Sequence, residues 1–417
     1  MTRSMKVMLF SWLCSCIFPN AWATTYTSAS CSSADFNTQI SAASNGDTVR
    51  GPSGGGSATW SAQVKFSKGI TLDGNGCVIT LPSNTANLDV TAVPTSPLEI
   101  KNFTFNGASG NNDGQVIVRG LTQSTATCRI DNNTFQNGDA EVTTVGHGSC
   151  LIDHNSFTSS GGGAQVIIID GGNYGDYSPR KDDQIPGSGK FVFIEDNTIT
   201  DTSSSTYGQI QAYYGGSFVL RYNHLYNVGL ETHGSSPGTC AGENGARWFE
   251  VYNNDHHPSP GITLPIKFRG GSGIVFGNTS DIPDHLILAE DCGSGTWPIQ
   301  GQVGQGINPS AASGGTTAAC CWSPLYAWNN SGFPVEIDNS NLIQYSTTPQ
   351  GCSHPNNRCD AVVTTSQPTT LLRCQSAADQ SSGCPVSYTY TPYTYPYPLT
   401  TSAGSPSPPA GLTAVVE

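Results

Sequence analysis

What most limits the fold of this chain is a strand that keeps returning. FVFIEDNT (191–198), FVLRYNHL (218–225), WFEVYNND (248–255) and GIVFGNTS (273–280) share one design: an apolar start, alternation, and an asparagine near the end, at Asn197, Asn223, Asn254 and Asn278. Between them lie shorter strands of a second kind that finish at glycine: QAYYGG, LETHG and IKFRGG. Two strand types alternating at a period of about two to three dozen residues are the signature of a solenoid, in which stacked repeats bury a core that none could bury alone.

The asparagine strand is also found upstream, as LEIKNFTF (98–105), CRIDNNTF (128–135) and CLIDHNSF (150–157). Its anchor positions run Asn75, Phe103, Asn133, Asn155, Asn197, Asn223, Asn254 and Asn278, and the long step from Asn155 to Asn197 holds an insertion at 173–190. Asparagines stacked at successive turns satisfy one another's backbone groups, so their role is structural. Ahead of the first coil, ITLDGNG (70–76), the segment 33–44 carries Phe36, Ile40 and Ala43 on one helical face and reads as a cap over the open end of the stack. Forty-eight glycines and an 11% charged fraction suit turn-rich all-β structure.

Residues 1–23 read as a secretory signal, with Arg3 and Lys6 before an apolar run from Val7 to Phe18 and a small-residue cut after Ala23. Its removal takes the formal charge from −13 to −15 and leaves twelve cysteines, an even number that predicts disulfides in an exported chain. The product expected is secreted, extracellular or periplasmic, monomeric and free of membrane spans. No basic patch accumulates, which argues against a nucleic-acid partner. The organisation predicted is a capped solenoid over 24–291, terminal coils and a cysteine-rich loop region over 292–400, and a linker or tail over 401–417. Within it, SYTYTPYTYPYPLT (387–400) reads as an aromatic–proline strip laid along the solenoid, with sugar stacking as its other reading.

Aligning the glycine-ended strands on the glycine that opens each turn puts Arg119, His147, Asp170, Tyr214, His233 and Arg269 in one column. Two residues earlier stand Ile117, Val145, Ile168, Ala212, Glu231 and Lys267, on the same face because side chains alternate. Glu231, His233, Lys267 and Arg269 thus form a quartet on neighbouring coils. Cleaving a uronate polymer by proton abstraction needs its carboxylate neutralised and a base beside it. His233 or Tyr214 would supply the base, with Lys267 a further candidate. Arg269 or Lys267 would meet the carboxylate, while Glu231 or Asp170 would hold a calcium ion. Arg119, His147 and Arg247 would bind the polymer further along. The plain alternative is a set of solvated cross-strand ion pairs. Asp255, His256 and His257 offer a metal-binding pair or mere surface decoration.

The alternating coils, the helical cap and the DNNTF and DHNSF strands resemble right-handed parallel β-helix proteins of the pectate-lyase-like superfamily, over roughly Ser33 to Asp291. FVLRYNHLYN, LETHG and IKFRGGSGIVFGNTS are distantly similar to the alginate lyase and chondroitinase B family. The resemblance implies that Arg269 is that family's catalytic arginine and that Glu231 falls at a calcium-binding glutamate. Where that family has a lysine on the coil below, this chain has His233. The fold expected is an all-β, right-handed parallel β-helix with an N-terminal capping helix and a loop-rich, disulfide-stapled C-terminal region. The function expected is a secreted polysaccharide lyase acting by β-elimination, with His233 as base assisted by Tyr214. A non-catalytic glycan-binding or surface β-helix, and a β-helix glycoside hydrolase using Asp170, are the alternatives.

Overall fold

The computed structural model describes residues 23–83, 87–108, 114–122, 128–160, 165–172, 185–202, 208–233, 246–259, 266–283, 286–288, 323–337, 345–346, 361–373 and 386–398. All but the last residue of the expected leader (1–23) and the whole tail (401–417) lie outside them, as does most of the 173–190 insertion. The described chain winds as a parallel β-helix. One coil runs Cys128–Asp131, Thr134–Gln136 and Ala140–Gly146; the next, Cys150–Asp153, Ser156–Ser159 and Gln165–Asp170, lies on it in parallel register. Repetition makes three columns of strands. The first two join around their corner in a 20-stranded sheet, and the third is a separate 10-stranded sheet.

Because pairing is in register, like side chains stack on like. Leu72, Ile100, Ile130, Ile152, Ile194, Leu220, Val251 and Val275 form one inward row of the first column. Phe105, Phe135 and Phe157 stack in the second column at 5.5 and 4.8 Å. Each of these side chains is fully buried. At roughly 2 kcal/mol per buried aliphatic side chain, such rows are the main gain on folding.

The asparagine anchors form a ladder at the corner between the first two columns. The Oδ1 of Asn223 accepts both the N–H and the Nδ2 of Asn197, while its own Nδ2 donates to the carbonyl of Ile194 and to Asn254. The motif runs unbroken through Asn133, Asn155, Asn197, Asn223, Asn254 and Asn278 and goes on to Asn330. Phe103 lacks the amide but gives its N–H to Asn133. Asn75, expected as an anchor, is not a rung: its amide binds the carbonyl of Pro52, and it has the left-handed conformation, φ 51°. That conformation belongs to the residue before each rung, as at Asn132, His154, Asp196, Tyr222 and Asn253.

The cap is a helix over Ser33–Ala42, opened by Ser32, whose hydroxyl accepts the Asp35 N–H, and closed by the Lys68 ammonium on the carbonyls of Ile40 and Ala43. Phe36 and Ile40 seal the first coil. Disulfides Cys31–Cys77 and Cys128–Cys150 pin the early coils; the other eight cysteines after the leader lie outside the described residues. Past Asp291, Leu325–Trp328 and Ala361–Thr364 continue the first column in parallel.

From Leu151 onward the outward row of that first column is apolar too, with Leu151, Phe193, Val219, Ile274, Tyr326 and Val362 and with Glu250 among them, whereas the earlier coils place Glu99 and Arg129 there. The aromatic strip covers it. Tyr390 and Tyr397 are buried against this row, and the Tyr390 hydroxyl donates to Glu250. Arg221, fully buried, bonds Glu195 and the carbonyls of Tyr393 and Thr394. The strip therefore packs as structure along the solenoid, as its first reading held.

Two outcomes follow. Asn223→Ala leaves the Asn197 N–H without its acceptor inside the corner and should cost roughly 2–4 kcal/mol, seen as an earlier urea midpoint. Tyr390→Phe strips Glu250 of a donor and should cost about 1–3 kcal/mol by the same measurement. An unchanged midpoint in either variant would contradict the assigned bond.

Candidate functional site

The third column presents the polar face. Its register is read from the pairings Asp170↔Tyr213, Gln211↔Glu231 and Glu231↔Lys267, with the His233 N–H on the carbonyl of Ala212 and the Arg269 N–H on that of Thr232. The outward rows are thus Asp170, Tyr213, His233, Arg269 and, two residues earlier, Ile168, Gln211, Glu231, Lys267. The quartet is brought together as expected.

Two neighbours differ from expectation. Tyr214 is not in the row, because it occupies the left-handed turn position itself, φ 45°, so the strand ends at Tyr213. His147 is displaced by a bulge at Gly146, φ 124°, where a Cβ would meet the Leu121 carbonyl oxygen at 2.1 Å. Val145 pairs with Asp170 instead, and the His147 N–H caps Leu121. In both strands the turn is entered at a different residue, so counting back from glycine loses the register.

The quartet is the core of a hydrogen-bonded network. Arg269 pairs with Glu231 at 2.5 Å and places Nη2 3.2 Å from His233 Nδ1. An arginine only donates, so Nδ1 is the acceptor and Nε2 carries the proton. That proton is donated to Gln211 Oε1 at 2.9 Å. The Tyr213 hydroxyl also binds Gln211 Oε1, accepts from Gln165 at 2.7 Å, and its ring stacks on His233 with centroids 4.0 Å apart. Gln165 and Gln211 went unseen in the sequence, since uncharged residues in a strand carry no signal until register places them, and the glycine alignment, which sets Tyr214 in the row, puts Tyr213 on the opposite face.

These groups are more shielded than solvated surface pairs would be: Glu231 is 7% and His233 9% exposed. Burial, then the charges of Arg269 and Lys267, push the imidazole down to about 3, so His233 is neutral across the physiological range. Half-buried Lys267 lies on the strand beside Glu231.

The remaining candidates stand apart. Arg119 is four coils below His233, about 19 Å away at the usual strand spacing, and pairs with Asp89 at 3.1 Å. Arg247 lies at the corner near the site, its N–H on the Gly216 carbonyl and its own carbonyl accepting from Ser272. Asp170 closes a turn by accepting the Gly172 N–H at 2.6 Å, two coils from Glu231. A calcium ion needs six to eight oxygens around it. Glu231, committed to Arg269 and beside Lys267, and Asp170, two strands away, do not fit one such sphere.

Compared with known proteins, the chain matches no family model and no curated protein.

The depressed imidazole has a consequence for stability. Between pH 6.5 and 3 the unfolded chain takes up a proton at this histidine that the folded chain refuses, so folding weakens as pH falls. Across that window the wild type should lose up to about 1.4 kcal/mol per pH unit relative to His233→Gln. Urea titrations of both proteins from pH 7 to 4 read the difference, and parallel curves would contradict a buried neutral histidine.

Proposed function

We propose that the chain is an exported polysaccharide lyase-like protein of the pectate-lyase-like superfamily, which cleaves a uronate-containing polymer by β-elimination. The observation that carries this reading is one neutral imidazole held against an arginine, with a lysine alongside, on the outward face of a rigid parallel sheet. The two disulfides, which form and persist in oxidising compartments, support the export.

In this reading the uronate carboxylate exchanges with Glu231 as the partner of Arg269, and Lys267 adds its charge. When Nη2 turns to the substrate, the lone pair on His233 Nδ1 is released. That nitrogen takes the proton α to the carboxylate, the electron pair becomes the ring double bond, and the glycosidic C–O bond breaks. The departing oxygen takes a proton, for which Tyr213 is a donor in the network; it fills the assisting place expected of Tyr214. Gln211 holds the imidazole tautomer throughout. No metal enters the sequence.

A second reading, a non-catalytic glycan-binding solenoid, is favoured by the self-satisfied Glu231–Arg269 pair and by the burial of Glu231 and His233.

The assay is ultraviolet absorbance of the unsaturated uronate over a panel of uronans. One polymer should give a rise that drops at least about 100-fold in Arg269→Ala and His233→Ala. With its imidazole at about 3, wild-type turnover should show no acid limb near pH 6.5. A flat trace across the panel from folded protein, with polymer binding retained, would replace the lyase by the binding module.

A further inference from the structure

A second polar cluster lies on another face of the solenoid. In the second column His224 pairs with Asp255 and Asp255 with Thr279, while Tyr226 pairs with His257. These outward positions are the complement of the inward row Leu225 and His256. With Asp281 at the end of the third, three successive coils gather two imidazoles and two carboxylates here.

We propose that His224, Asp255 and His257 form a binding site for a divalent transition-metal ion of the zinc type. One donor atom from each lies within 4.8 Å of the other two. Asp255 Oδ2 is 2.9 Å from His257 Nε2 and 3.6 Å from His224 Nδ1. Two ligands of a tetrahedral zinc ion, each about 2.0–2.1 Å from the metal, are about 3.3 Å apart, and the observed spacings bracket that value.

The groups around the three are those a metal site needs. His257 Nδ1 is 2.5 Å from Asp281 Oδ2, so donation there turns Nε2 toward Asp255 as the ligating nitrogen. The Tyr226 ring stacks on the same imidazole at 4.6 Å and fixes its plane. Asp255 keeps Oδ2 for the metal because Oδ1 accepts from the Thr279 hydroxyl at 2.9 Å. Both a ligating histidine and the ligating carboxylate thus have an orienting partner on the next coil.

Donor chemistry selects the ion. Two nitrogens and one carboxylate suit zinc, copper or nickel, whereas calcium and magnesium ask for oxygen. Three protein ligands leave a position open to water or to an external donor. Because His224 belongs to one coil and Asp255 with His257 to the next, the ion ties neighbouring repeats together and should stabilise the stack by mass action. This site is independent of the network around His233.

The test uses the full exported chain, stripped with chelator, and zinc itself as probe. Calorimetric titration should give one equivalent, and the thermal midpoint should rise with zinc but not with calcium. His257→Ala and Asp255→Asn should each weaken binding at least tenfold, and His224→Ala, at a half-exposed side chain, should do so without touching the fold. His154→Ala, which removes a different His–Asp pair, should leave binding unchanged. Absence of zinc binding to folded wild type, equal affinity for calcium, or a titration indifferent to all three site variants would overturn the proposal.

Discussion

The asparagine ladder is the interaction on which everything else in this molecule rests. A corner between two parallel strands leaves backbone groups facing the interior, where no water reaches them, and each orphan costs a few kcal/mol. An asparagine amide carries both a donor and an acceptor, so one side chain closes its own corner and serves the corner beside it. Asn155, for instance, gives to the carbonyl of Ile130 and takes the N–H of Asn133. Aspartate, which cannot donate, or leucine, which does neither, would leave a corner group unmet at an inner rung; Phe103 stands where the ladder begins and gives only its N–H. Because rungs bond to rungs, the ladder also sets the register of the coils, and from that follow the aliphatic row, the stacked phenylalanines and the outward columns.

A fixed register creates a second problem, which is what to do with the outsides. In the first column the outward row from Leu151 onward is largely apolar, Glu250 excepted, and a lone solenoid of this kind would expose a stripe suited to association. The chain solves this internally by returning its aromatic strip along the stripe. Arg221 and Glu250 act as the fasteners: the guanidinium reaches the backbone of Tyr393 and Thr394, and the carboxylate, raised by burial, holds the Tyr390 hydroxyl and the N–H of Gly187. The outward faces of the later coils that carry polar clusters are therefore those of the second and third columns, where both sites described above lie.

Legibility in the sequence divides along the same physical line. The ladder could be read because asparagine recurs at one place in an alternating strand, and the cap because Phe36, Ile40 and Ala43 fall on one helical face ahead of the first coil. The quartet could be read because LETHG and IKFRGG enter their turns at equivalent residues with no bulge between them. Tyr214 and His147 could not be placed. Which of two tyrosines before two glycines adopts φ of 45° depends on what the coil beneath allows, and the bulge at Gly146 is set by the close approach of Leu121. Neither is written in the local pattern. The left-handed corner at Tyr222 makes the same point, since tyrosine gives no sign of that conformation, whereas His154 and Asp196 are types that adopt it more readily. The ladder imposes it.

Among the described residues the network around His233 already pairs its charged groups, and in the reading proposed above that pairing says what a ligand must bring. Arg269 already has a carboxylate, Gln211 already has the imidazole proton, and Tyr213 is stacked and hydrogen-bonded. A neutral sugar offers nothing that would displace an ion pair from a shielded site, because breaking it leaves two charges uncompensated. A carboxylate-bearing ligand exchanges like for like: Glu231 turns out, the ligand takes its place on Arg269, and the charge balance of the site is kept. In that reading Lys267, beside Glu231 in register, adds a second cation to the incoming anion. In the lyase reading proposed above the ligand is an anionic polymer, and a protein whose overall charge is −13 offers it no long-range attraction. In that reading recognition comes from contact at these few residues, and specificity from which ring geometry lets a carboxylate reach Arg269 while its α-proton faces His233.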